Sequence, residues 1–213
     1  MSVTASVKPL AIDLFCGLGG WTEGLLAEGY DVIGFDIEQH IYGEHRYPAQ
    51  LVLQDVLTLH GSQFKDAVLI VASPPCQAYS YRAMPWKKAK ALPPPDNALF
   101  EACFRIQREA CAAAGHHIPL IVENVRGAIP WVGRSRWNYG SFHLWGDVPA
   151  LMPMAAGDGI KCSGDWFGVG NSASAMRQYG SHSPERKAAS AMIAKIPLSL
   201  ARHIAQVWKP TTC

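Results

Sequence analysis

The run Leu10-Ala11-Ile12-Asp13-Leu14-Phe15-Cys16-Gly17-Leu18-Gly19-Gly20 decides the fold. Residues 10–15 read as a buried strand, the glycines as a tight turn, and a helix follows from about Trp21 to Glu28. The pattern repeats downstream. Residues 32–35 form a second strand ending at Asp36, and residues 51–53 a third leading to Asp55. Residues 68–72 form a fourth that runs into Ser73-Pro74-Pro75-Cys76-Gln77, and residues 120–122 a fifth ending in Glu123-Asn124. Apolar strands separated by helices predict an α/β fold with a doubly wound, mostly parallel sheet.

The rest of the chain bounds what this sheet belongs to. A length of 213 residues suits one domain, and 49% apolar with 17% charged residues excludes a disordered or fibrous protein. No apolar run reaches the ~18 residues of a membrane span, and no secretory h-region precedes the first strand. Six cysteines without a CxxC pair suggest neither a disulfide framework nor zinc, so a reduced, cytoplasmic, metal-free monomer is expected. The net charge of +2 leaves nucleic acid open as a partner, given a local basic patch.

Residues 79–96 lack periodicity and read as a long surface loop. A helix over 97–114, capped by Asp96, sets Leu99, Cys103, Ile106 and Ala110 on one face. Residues 127–183, rich in Gly, Ser, Trp and Met, read as a small irregular insertion with a strand near 141–145. Trp137, Trp145, Trp166 and Tyr179 are expected to form its core. Ser183-Pro184-Glu185 opens a C-terminal helix that breaks near Pro197 and resumes over 198–208, returning the chain to the α/β core.

In open α/β sheets, ligands bind beyond the carboxyl ends of the strands. Those ends carry the glycine turn, Asp36, Asp55, Cys76 and Glu123. The turn lets a ligand approach the backbone, and Asp36 is placed to accept from both hydroxyls of a ribose, as in adenosyl and dinucleotide ligands alike. Asp55 suits either an adenine amino group or a helix cap. Two prolines hold Cys76 in a stiff turn, without competing backbone donors. Glu123, at a buried strand end, is expected to have a raised pKa and to serve as a proton donor.

These residues carry a resemblance. Asp13-Leu14-Phe15-Cys16-Gly17-Leu18-Gly19-Gly20, Pro74-Pro75-Cys76-Gln77-Ala78-Tyr79-Ser80 and Glu123-Asn124-Val125 resemble signature motifs of the DNA (cytosine-5)-methyltransferases, in the same order. Asp96-Asn97-Ala98-Leu99-Phe100 and the last helix extend the likeness. The resemblance implies a Rossmann-like class I methyltransferase with a minimal target-recognition lobe. It implies S-adenosyl-L-methionine held by Phe15, Cys16, Gly17, Leu18, Gly19, Gly20, Asp36, Ile37, Asp55, Val56, Pro74 and Lys195. Cys76 would add to C6 of a flipped-out cytosine in double-stranded DNA, while Glu123 serves N3. Arg134 and Arg136 would help hold the base, and Gln77, Ser80, Lys87, Lys88, Lys90 and Arg126 would contact the nucleic acid.

Three departures are visible. Val132 stands where the family's Gln-x-Arg-x-Arg element has its glutamine. Ile193-Ala194-Lys195-Ile196-Pro197 stands where the family's last motif usually begins Gly-Asn, so Lys195 suits the cofactor carboxylate, a donor with an extra carboxylate, or a solvent-directed lysine. The recognition region is short, which implies a short, relaxed target, as in compact bacteriophage-like members. The competing readings are an NAD(P)-dependent oxidoreductase, which leaves Cys76 and Glu123 without a task, and a non-catalytic DNA- or partner-binding relative. An RNA-methylating relative stays open too.

Overall fold

The computed structural model describes residues 7–79, 93–155 and 183–211. A seven-stranded sheet is built from β1 (Leu10–Leu14), β2 (Asp31–Asp36), β5 (Gln50–Leu53), β6 (Leu69–Ala72), β7 (Leu120–Asn124), β8 (Trp137–Tyr139) and β9 (Phe142–Gly146). Two short strands, β3 (Ile41–Tyr42) and β4 (His45–Arg46), form a separate ribbon. The sheet order is β5-β2-β1-β6-β7-β9-β8. The first five of these strands run parallel, whereas β9 pairs antiparallel with both β7 and β8. This is the expected doubly wound, Rossmann-like sheet.

Side-chain alternation explains why both faces are covered. Ile12 and Leu14 of β1 point to one side, where α2 (Ala98–Ala114) buries Phe100, Cys103, Ile106 and Ala110. Ala11 points to the other side, with Trp21 and Leu25 of α1 (Gly20–Ala27) and Leu200 and Ile204 of α4 (Leu198–Val207). All four residues of β6 are buried, as a central parallel strand requires. Asp13 shares the α1 side, which brings it to Thr22.

The last helices close the first ones. α3 (Pro184–Ala194) is capped by Ser183, whose hydroxyl accepts from the Arg186 N–H, and Pro197 separates it from α4. Tyr30 donates its hydroxyl hydrogen to the Ala205 carbonyl (2.8 Å), and Arg202 Nε meets Glu28 Oε1 at 2.7 Å.

Two sequence expectations change. Trp145 does not belong to a separate lobe. It sits 5% exposed in the main core, edge-on to Phe100, while Trp137 lies on an edge strand and stays exposed. β9 extends the central sheet, so its inward residues join that core. β7 also continues through Glu123 and Asn124, because both pair with β9. Trp166 and Tyr179 lie outside the described residues.

Gly24 is where α1 meets α4 most closely. A Cβ there would fall 2.4 Å from the Ala201 Cβ and 2.6 Å from the Ala201 carbonyl carbon, and backbone cannot rotate away. Gly24→Ala is therefore expected to destabilise the fold by about 1–3 kcal/mol in chemical denaturation, the range for overpacking. An unchanged denaturation midpoint would show that the helices separate at no cost.

Candidate functional site

The turns beyond the parallel strands open on one cleft of about 510 Å³. Phe15, Cys16, Gly17, Leu18 and Gly20 line it from the turn after β1, and Asp36 and Ile37 from the end of β2. Asp55 and Val56 follow β5, while Pro74, Cys76 and Gln77 follow β6. Glu123 of β7 and Lys195 after α3 complete the set named from sequence. Gly19 does not line the cleft. Its left-handed backbone (φ +78) closes the turn against Pro48, where a Cβ would approach within 2.5 Å.

The glycine turn is braced from β2. Gly17 N–H donates to Asp36 Oδ2 (2.9 Å), and Glu38 N–H reaches Oδ1 at 3.3 Å. His40 Nε2 lies 3.7 Å from the same Oδ1. Burial works to raise the Asp36 pKa, but His40 and the two N–H groups prevail and hold the carboxyl below its usual range. His40 is shifted upward in return, chiefly by Asp36 and against its own partial burial. Phe15, in the left-handed region at φ 56, is a non-glycine residue held in an unfavourable conformation at the cleft wall.

Behind the turn lies a buried polar cluster. Thr22 Oγ1 donates to Asp13 Oδ2 (2.6 Å) and is 2.7 Å from the Tyr47 hydroxyl. Asp13 is 1% exposed, and its Oδ1 has no hydrogen-bond partner. Burial pushes its pKa up to about 7, with Asp36 adding to the rise and Thr22 opposing it. The Cys16 thiol is also driven upward, by burial and then by Asp13 and Asp36, which leaves it protonated and unreactive.

The Cys76 loop is tied on both flanks. Upstream, Trp21 Nε1 donates to Ser73 Oγ (3.0 Å) and Asn124 Nδ2 to the Pro74 carbonyl (2.9 Å). Downstream, Tyr79 N–H closes on the Cys76 carbonyl (3.0 Å), and the buried Tyr79 hydroxyl donates to Asn97 Oδ1 (2.8 Å). Cys76 itself is half-buried, and Glu123 is 4% exposed. A thiol and a carboxyl thus face one accessible space from adjacent strands β6 and β7.

Other residues behave differently. Asp55 caps the turn Val56–Thr58 by accepting from Leu57 N–H (2.9 Å), and it lines the cleft as well. Lys195 is committed to Glu23 of α1, with Nζ 2.5 Å from Oε1. Arg134 and Arg136 lie exposed just before β8 and do not reach the cleft lining. Arg126 is exposed beyond β7 and lines a different cavity. Ser80, Lys87, Lys88 and Lys90 fall outside the described residues.

Sequence reasoning missed part of the wall. Glu38 and His40 come from the segment between β2 and β3, Tyr42 from β3, and Arg186, Lys187 and Ser190 from α3. Two-residue strands are too short to show an alternating pattern. The signal in α3 lay only in its docking beside a cleft whose other walls come mostly from residues 15–123.

A family model described as C-5 cytosine-specific DNA methylase matches residues 10–130. No curated protein matches the chain. Among solved structures, a protein described as a DNA modification methyltransferase from an E. coli prophage matches at 23% identity and a TM-score of 0.39. That match covers 57% of this chain and 33% of the other. The S. pombe Dnmt2 methyltransferase matches at 17% identity and a TM-score of 0.37, covering 57% and 36%. The Entamoeba histolytica methyltransferase EhMeth matches at 18% identity and a TM-score of 0.40, covering 60% and 41%. The matched region is thus 33–41% of the length of these three proteins.

The Asp13 cluster makes stability depend on pH. Between the ordinary value of 3.8 and about 7, the folded chain holds a proton that the unfolded chain releases. Stability should therefore fall as pH rises through that window. Asp36 acts oppositely, and only at pH values below the normal aspartate range. Asp13→Asn should flatten the decline measured by urea denaturation between pH 5 and pH 8. An identical slope in the variant would remove Asp13 as its cause.

Proposed function

This chain belongs to the C-5 cytosine-specific DNA methylases, whose model covers residues 10–130, and from that premise we propose that it methylates C5 of cytosine in DNA with S-adenosyl-L-methionine. The observation carrying this reading is that Cys76 and Glu123 share one cleft with the Gly17 turn and Asp36. Nucleophile, acid and donor-binding groups therefore face the same space. A nicotinamide-dependent oxidoreductase would use only the turn and Asp36.

The cleft fits the donor. Its ~510 Å³ falls within the roughly 300–1,000 Å³ of small-molecule sites. A Cβ on Gly17 would meet no protein atom within 4 Å, so ligand atoms can lie against the backbone there. In this reading Asp36 serves the ribose, Ile37, at 73% exposed, the adenine face, and Asp55 the adenine edge; all three line the cleft. When bound, S-adenosyl-L-methionine supplies an electrophilic methyl group.

The chain's own residues perform the activation. The Cys76 sulfur bonds to C6, and Glu123 protonates or hydrogen-bonds N3, stabilising the charge that develops. C5 becomes nucleophilic and takes the methyl group. Loss of the C5 proton then re-forms the C5–C6 double bond and expels Cys76. A duplex buries both carbons, so the cytosine must leave the stack to reach the cleft. Ser80, Lys87, Lys88 and Lys90 belong to the segment after Cys76, and their role is to hold the DNA backbone over the extruded base. A short recognition region favours a short target.

The test is covalent trapping on duplex DNA containing 5-fluorocytosine, which carries no C5 proton to lose. The wild type with cofactor should give a stable adduct, Cys76→Ala none, and Glu123→Gln a rate on ordinary DNA lower by about 10²–10⁴. No adduct on any DNA would overturn the reading. Mass spectrometry should identify 5-methylcytosine, and a carboxylated product would instead place an extended donor beside Lys195.

A further inference from the structure

Strand β9 runs antiparallel to β7, so the tip of the β8–β9 hairpin lies at the same sheet edge as Glu123. His143 pairs with Asn124 at the end of β7, and Asn138 pairs with His143. Directly opposed residues in antiparallel strands face the same way. Asn124, His143 and Asn138 thus form one polar row across three strands.

At the outer end of that row is a second cavity of about 460 Å³, lined by Arg126, Asn138, Gly140, Ser141 and His143. Among the described residues it shares no lining residue with the cofactor cleft. Its wall, among the described residues, offers a guanidinium, an amide, a hydroxyl and an imidazole, with neither a carboxylate nor a large apolar side chain. None of the ion pairs among the described residues involves Arg126. Asn138 Nδ2 donates to the Gly140 carbonyl (3.2 Å), and Ser135 Oγ is 3.0 Å from His143 Nδ1. Both contacts stiffen the hairpin.

A wall rich in donors, carrying a guanidinium and no anion, suits an acceptor-only group of negative charge. Two strand spacings, roughly 10 Å, separate β8 from β7. That distance is about three nucleotide rises along one DNA strand. Free phosphate would satisfy the same donors, but it gives no reason for the cavity to sit at the edge where the target base is held.

We propose that the hairpin cavity grips a backbone phosphate of the DNA, within a few nucleotides of the target cytosine. Arg126 makes the charged contact, and Asn138 and Ser141 make the directional ones. The proposal rests on the reading of this chain as a DNA-modifying protein. It also links DNA docking to the nucleophile, since Asn124, at the inner end of the row, holds the Pro74 carbonyl two residues before Cys76.

The experiment measures duplex DNA binding by fluorescence anisotropy over a range of NaCl concentrations. Arg126→Ala should weaken binding on the order of tenfold and reduce the slope of log K against log salt by about 0.9. Asn138→Ala combined with Ser141→Ala should weaken binding while leaving the slope in place. Calorimetry with S-adenosyl-L-methionine should give wild-type affinity for each variant, which separates a lost contact from a lost fold. A wild type that is trapped by 5-fluorocytosine DNA but whose salt slope ignores Arg126 overturns this inference alone. Arg126-dependent binding of inorganic phosphate with unchanged DNA affinity also overturns it, in favour of a free anion. A wild type that neither traps nor binds DNA overturns the functional reading and this one with it.

Discussion

Two consecutive prolines remove two backbone donors at the point where β6 ends, so the chain before Cys76 can be anchored there only through acceptors. Asn124 supplies the missing donor from the neighbouring strand, at 2.9 Å from the Pro74 carbonyl. That single amide explains why β7 must continue past its apolar run. Asn124 is 1% exposed and paired with β9, so the sheet itself fixes the group that fixes the loop. Glu123 precedes it on the same strand, so strand pairing places the carboxyl while the Cys76 loop is tied to that strand through Asn124.

The cost of this arrangement is visible in the core. Among the described residues, the buried polar or charged ones are Asp13, Thr22, Asp36, Glu123 and Asn124. All of them belong to, or back directly onto, the turns that form the cleft. Most of the remaining buried apolar residues divide between the two faces of the sheet. Local conflicts with burial thus gather at the chemistry, as expected where a fold gives up stability for a site.

Legibility in the sequence followed periodicity and punctuation. The parallel strands were readable because buried parallel strands are short apolar runs, and their ends were readable because glycine, proline and acidic residues stop such runs. Asp36 and Cys76 were recognisable for that reason. The alternatives at Asp55 were not separable, since a carboxylate two residues before an N–H can cap and also face a cleft, and here it does both. Lys195 could not be read alone, because its partner Glu23 lies 172 positions away. Trp145 was misplaced for a related reason: an antiparallel hairpin returning to a parallel sheet has no local mark of which core it joins.

The docking of α4 on α1 also bears on the order in which the molecule can assemble. Helix α1 is made long before α4, and Trp21, Leu25 and Tyr30 are covered by residues 198–207 only when those arrive, with Tyr30 and Ala205 bonded across 175 positions. Until then the nascent sheet carries one bare apolar face. Contacts of such long sequence separation form slowly and leave that face open to wrong partners meanwhile. The glycine turn leads directly into α1, so the helix behind that turn stays uncovered until residues 198–207 have been made.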